Sequence, residues 1–101
     1  MAGKPHNGYS SYRAWEVALY FDNDERAYTY IQRVLKSLTY CAERDIKKYL
    51  KECASRINRY YADSYIPDTR TIISRRSILE YVKGEAAELL NHPELCKVYE
   101  D

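Results

Sequence analysis

The stretch Tyr9–Tyr30, YSSYRAWEVALYFDNDERAYTY, decides the fold class. It holds the only Trp and the only Phe of the chain, five of the twelve Tyr, and an acidic run, Asp22-Asn23-Asp24-Glu25. Ser10 and Ser11 precede a periodic segment, and a Ser hydroxyl can accept a hydrogen bond from an orphan amide in a helix's first turn. Trp15, Ala18, Leu19 and Asp22, with Tyr12 one turn upstream, then recur at helical spacing. This predicts a short helix over residues 12–22 with those side chains on its inner face. Asp22 and Glu25 stand three apart, the spacing of a capping box, so the acidic run is read as the start of a second helix. Asp24 and Glu25 then fall in its first turn, where the macrodipole favours negative charge. A calcium loop needs alternating oxygen ligands, a turn glycine and a distal Glu, and the run lacks that pattern.

Moving outward, the second helix is predicted over Asp24–Leu38. Tyr28, Ile31, Leu35 and Leu38 form a stripe widened by Val34, opposite Arg26, Gln32, Arg33 and Lys36. Two heptads are too few for a coiled-coil seam, so the stripe is read as core. Ser37 or Thr39 is the expected cap of a third helix running to Tyr61. Its apolar face is Ala42, Ile46, Tyr49, Leu50, Cys53, Ile57, Tyr60 and Tyr61, and the Glu43–Lys47 pair supports it. Ala62–Thr71 reads as a connector, because Pro67 pushes Ile66 out of helical geometry and Asp68 suits a cap. Ile72-Ile73 fits either a short helix or an extended segment. Ser74 or Ser77 caps a fourth helix with Ile78, Leu79, Val82, Ala86, Leu89 and Leu90 inward, and Gly84 off that face. Asn91-His92-Pro93-Glu94 ends it and opens a last helix, Pro93 standing where its missing amide costs little. From that last helix Leu95, Val98 and Tyr99 dock back on the core. The expectation is an all-α, compact bundle of four to five helices: a lead-in over residues 1–9, then one helical domain over residues 10–101, with the Trp15 helix buried among the others.

Composition narrows the class of protein. One hundred and one residues imply one domain with a modest core. Gly and Pro are scarce, three each, which disfavours a turn-rich β fold. The formal charge of +1 is unlike that of a strongly basic nucleic-acid binder. No apolar run approaches the ~18 residues of a membrane span, and no signal-peptide pattern opens the chain, so a cytoplasmic protein is expected. The three Cys show no zinc spacing. Cys41 and Cys53, if on one helix, lie about 18 Å apart, too far for a disulfide. His6 reads as solvated and His92 as structural. Two isolated His and scattered carboxylates give no catalytic, metal or cofactor constellation, and the chain is read as no enzyme. Tyr is abundant, and it suits interfaces because its ring is apolar and its hydroxyl stays wet.

Tyr12 to Tyr28 resembles the signature of a family of small uncharacterised proteins of phages, plasmids and prokaryotic genomes, roughly Y-x-T-W-N-V-A-L-W-x-x-N-D-E-x-x-Y. Trp15, Val17, Ala18, Leu19, Asn23, Asp24, Glu25 and Tyr28 match, whereas Ala14, Glu16 and Tyr20 stand where the pattern has Thr, Asn and Trp. The resemblance implies an accessory protein of a mobile element, and brings no activity with it.

Two functions follow as expectations. The first is a non-enzymatic, protein-binding inhibitor that occludes a surface of a host defence complex, a protein or ribonucleoprotein of the CRISPR or restriction type. Its anchors would be the Tyr side chains Tyr20, Tyr30, Tyr60 and Tyr65, all expected to be exposed, with Arg70, Arg75 and Arg76 as a basic rim. The second is a nucleic-acid-binding accessory protein using Arg70, Arg75, Arg76 and the basic side of the third helix, Arg44, Lys47, Lys48, Lys51, Arg56 and Arg59. Glu43, Asp45 and Glu52 interrupt that side, as on an ordinary solvated face. The oligomeric state is left open.

Overall fold

Ser11 opens the first helix, its hydroxyl accepting the Ala14 amide at 3.1 Å. The computed structural model describes residues 9–97. Four α-helices carry the fold: α1 (Tyr12–Asn23), α2 (Glu25–Lys36), α3 (Ile46–Tyr61) and α4 (Arg75–Leu89). Short 3-10 turns occupy Ser37–Tyr40, Glu43–Asp45 and Pro93–Lys97. The all-α bundle is therefore the fold of the described residues. No helix among them is long and apolar enough to cross a membrane.

The phase of α1 differs from the expectation. Ala14, Val17, Ala18 and Phe21 are its buried residues, whereas Leu19 is 44% and Tyr12 56% exposed. Trp15 is half-buried and leans on the Tyr12 ring, 5.5 Å between centroids. Apolar residues surround this helix on nearly every side, so periodicity alone does not select the face that packs. α4 makes the selection, because it lies along α1 and also contacts α3 and α2.

The start of α2 is also corrected. Asp24, not Asp22, is its N-cap, accepting the Ala27 amide at 2.9 Å. Asp22 remains in the last turn of α1, where a negative charge opposes the helix dipole. Its position is explained by Tyr81, whose hydroxyl donates to Asp22 Oδ1 at 2.6 Å. Tyr81 is 1% exposed and lies inside the core beside Phe21 and Ile78. A buried Tyr needs a partner for its hydroxyl, and the acidic end of α1 supplies it. Burial and this bond push the Tyr81 phenol far above its ordinary value, so it remains a donor.

The α2 stripe is as the spacing predicts for Ile31, Val34, Leu35 and Leu38, all buried; Tyr28 is exposed. Ser37 and Thr39 do not cap a third helix. Their hydroxyls turn back to the Val34 and Lys36 carbonyls, closing α2 through a 3-10 turn. Cys41 therefore precedes α3 and shares no helix with Cys53. Both thiols are free, and their sulfurs face the Ser37 and Val34 carbonyls. Burial raises the Cys53 thiol's pKa and favours its neutral form. α3 buries Ile46, Leu50, Cys53, Ala54 and Ile57; Ala42, Tyr49 and Tyr60 lie outside.

The connector folds back on itself. The Asp63 amide donates to the Ile73 carbonyl, the Ile73 amide to the Ser64 carbonyl, and the Ile66 amide to the Thr71 carbonyl. Tyr65 and Ile72 form an isolated antiparallel bridge, so the Ile72-Ile73 pair is extended, with Ile66 and Ile73 inward. Asp68 adopts φ 65° within this turn and is not a cap. Ser74 caps α4, accepting the Ser77 amide. The Thr71 hydroxyl donates to the Glu16 carboxylate, tying the connector to α1.

α4 ends as a Schellman motif. Asn91 is left-handed at φ 53°, His92 donates to the Ala87 carbonyl and Asn91 to that of Glu88. A 3-10 turn follows in place of a last helix, and it buries Leu95. His92 is held between Glu43 and Glu94, at 3.3 and 2.8 Å. Tyr9 packs against the core, and Ser10 is bound by Glu80 through its amide and hydroxyl. Met1–Gly8, including His6, and Val98 and Tyr99 lie outside the described residues.

Candidate functional site

The Asp24 cap sets the phase of α2. With Ala27, Ile31, Val34 and Leu35 turned inward, Arg26, Thr29, Tyr30 and Arg33 fall together on another face. α3 runs back along α2, so its last residues, Tyr60 and Tyr61, arrive beside that face. The result is a groove of about 630 Å³ lined by Glu25, Arg26, Thr29, Tyr30, Arg33, Tyr60 and Tyr61.

A chain of rings holds the groove in place. Tyr81 packs on Phe21 at 5.1 Å, and Phe21 meets Tyr61 edge-on at 5.4 Å. Tyr20 lies against Phe21 at 5.6 Å. Tyr30 and Tyr60 form a second edge-to-face pair at 5.2 Å. Such pairs contribute about 0.5–1.5 kcal/mol beyond their buried area. The groove floor is thus anchored through Phe21 to the core, while Tyr60 is 68% exposed.

The Tyr20, Tyr30 and Tyr61 phenols are held neutral. Burial raises the Tyr61 pKa, followed by Asp24 and Tyr30, with Arg26 acting in the opposite sense. Burial and Tyr60 raise that of Tyr30, against Arg56 and Arg59. Burial, Asp24 and Tyr61 raise that of Tyr20. On α3, Arg59 directly precedes Tyr60 and Arg56 lies one helical turn before it, while Arg26 and Arg33 line the groove from α2. Neutral phenols among cations can donate hydrogen bonds and stack, which suits recognition. Among the described residues, no three His, Cys, Asp or Glu side chains gather as a metal set.

The residues singled out by sequence are divided. Tyr30 and Tyr60 meet in the groove, and Tyr20 lies next to it through Tyr61 and Asp24. Tyr20 and Tyr30 are half-buried, not fully exposed as expected, because their rings pack on Phe21 and Tyr60. Tyr65 is exposed in the connector and lines no part of the groove. Arg70, Arg75 and Arg76 are exposed and also outside the lining. Arg75 lies 3.6 Å from Asp63, with both side chains largely solvated, a pair of little energetic weight. The groove adds Arg26 and Arg33, which sequence reading had assigned to a polar helix side, Tyr61, which it had assigned to core, and Thr29. The seven-residue spacing of Arg26 and Arg33, with Tyr30 between them, is the signal that marks this face.

A family model, the family of unknown function DUF7249, matches residues 2–70. No curated protein and no solved structure matches the chain. The matched span includes α1, α2, α3 and every groove residue, and ends before α4. The chain belongs to the DUF7249 family.

Proposed function

We propose that this DUF7249 member is a non-enzymatic binding protein that docks a partner protein on the α2–α3 groove. The observation that carries this reading is the convergence of Tyr30, Tyr60 and Tyr61 with Arg26 and Arg33 on one accessible surface. Tyr and Arg are the residue types that most often dominate binding energy at interfaces. Rings fixed by packing lose little freedom on binding. The resemblance of Tyr12–Tyr28 to proteins of mobile elements supplies the setting: the partner is a host defence complex, and binding blocks one of its working surfaces.

The test is capture from a bacterial host carrying defence systems, using the tagged protein and its Tyr60→Ala variant, with and without nuclease. The reading expects one stoichiometric protein that resists nuclease and is lost with Tyr60→Ala. Equal recovery by the variant would remove the groove from the account.

A second reading is favoured by one feature, the placement of Arg56 and Arg59 on α3 beside Tyr60, which pairs edge-to-face with Tyr30. Single-stranded nucleic acid binds where bases stack on aromatic rings and cations track the backbone. It predicts recovered material that disappears with nuclease and whose affinity falls steeply with salt.

A further inference from the structure

We infer that the α2–α3 groove takes an acidic segment of a protein, two carboxylates about 10 Å apart with an apolar or aromatic side chain between them. This rests on the docking reading above and adds the chemistry of the occupant. Arg26 and Arg33 line the groove, and on α3 Arg59 directly precedes the lining residue Tyr60 and Arg56 lies one helical turn before it. All four are exposed, and among the described residues no carboxylate stands within ion-pair distance of any of them. This is unusual in a chain with nearly as many acids as bases, 15 against 16. Counting Glu25 and Asp24 against the four arginines leaves the groove and its flanks with two positive charges, while the whole chain carries +1. Positive charge is therefore concentrated here and the remainder is net negative.

The spacing follows from the helix. Arg26 and Arg33 are seven residues apart, about 10.5 Å along α2. Their forked guanidinium groups match carboxylates in a bidentate manner. Tyr30 lies between them in sequence, and its edge-to-face pairing with Tyr60 presents an apolar wall. The occupant's central side chain seats there, displacing water from the exposed Tyr60 ring. A nucleic-acid strand fits less well. It carries a charge at every nucleotide and needs a continuous cationic track, whereas Glu25 lines this groove and Asp24 stands at its Tyr20 end.

The experiment uses the full chain, labelled with nitrogen-15, and three probes: the peptide EEGFGEE, its glutamine counterpart QQGFGQQ, and a short oligothymidylate. Nuclear magnetic resonance titration reads weak binding residue by residue, and melting curves confirm that variants remain folded. The inference expects EEGFGEE to shift the signals of Arg26, Tyr30, Arg33 and Tyr60 saturably, with QQGFGQQ at least about tenfold weaker. It also expects Arg26→Gln/Arg33→Gln to raise the Kd for EEGFGEE by at least about tenfold, the loss of roughly one charge-assisted contact or more. Equal shifts from both peptides, no shifts from either, or tighter binding of oligothymidylate at the same residues would overturn it. Partner capture separates the two proposals. Loss with Tyr60→Ala but retention with Arg26→Gln/Arg33→Gln overturns the acidic occupant alone. Retention with both variants overturns docking at the groove itself.

Discussion

Tyr81→Phe isolates the contact that joins α4 to the end of α1. The substitution keeps the ring against Phe21 and removes only the hydroxyl that donates to Asp22 at 2.6 Å. A hydrogen bond to a charged group contributes about 1.5–3 kcal/mol. Asp22 is exposed, so its carboxylate rehydrates when the donor is lost and no buried orphan remains. The expected loss is therefore at the low end, about 1.5 kcal/mol, or about 6–12 °C in Tm for a domain of this size. Urea denaturation followed by circular dichroism should show a lower midpoint with an unchanged slope, because the surface exposed on unfolding is the same. Tyr81→Ala should cost more, in the ~3–5 kcal/mol range, since it also opens a cavity. A cycle with Asp22→Ala gives the coupling directly. Unchanged stability in Tyr81→Phe, or zero coupling to Asp22, would refute the claim that the acidic end of α1 is there to satisfy a buried Tyr.

Further outcomes follow from the same packing. Gly84→Ala should stabilise α4 by about 0.5–1 kcal/mol, because a Cβ there meets nothing within 4 Å; thermal melts check it. Trp15→Ala should cost less than the ~3–5 kcal/mol of a buried aromatic, since Trp15 is half-buried; a loss in that full range would restore it to the core. The Glu85 carboxyl is held above its ordinary 4.5, first by burial and then by Asp22 and Glu88, against the hydrogen bond from Gln32. A raised folded-state value means that the folded protein holds this proton more tightly. The corresponding stability is fully present below about 4.5 and is lost as pH rises through the folded value. Glu85→Gln should therefore be more stable than wild type at neutral pH and flatten the acid side of the stability curve. A neutral-pH melt no higher than wild type would contradict this.

The helix count, the α2 stripe and a Ser cap for α4, narrowed to Ser74 or Ser77, were legible because each rests on local chemistry that tertiary contacts reinforce. Pro67 marked the connector for the same reason. The face of α1 was not legible. Tyr12, Trp15 and Leu19 are as apolar as Val17 and Phe21, and only the position of α4 decides between them. Asp22 and Asp24 are equivalent cap types two residues apart; the choice was made by Tyr81, which is far away in sequence. Tyr81 itself was absent from the expected core because the α4 face was drawn through Leu79, Leu89 and Leu90, of which Leu89 is exposed and the other two are half-buried. On the site, each half was visible on its own helix: Arg26, Tyr30 and Arg33 on α2, Tyr60 and Tyr61 on α3. Their union depends on how far α3 runs back along α2, which the irregular stretch from Ser37 to Asp45 sets. That stretch, with its backward hydroxyl bonds and 3-10 turns, carries no periodic signal.

The most direct measurement of the groove's role is site-specific photo-crosslinking in a host carrying defence systems. A photo-reactive amino acid replaces Tyr60, and in a parallel sample Tyr40, which is 81% exposed and outside the groove. A discrete crosslink from position 60 to one protein, absent from position 40, is the result the account predicts. Crosslinks to nucleic acid, equal crosslinks from both positions, or none from position 60 would contradict it.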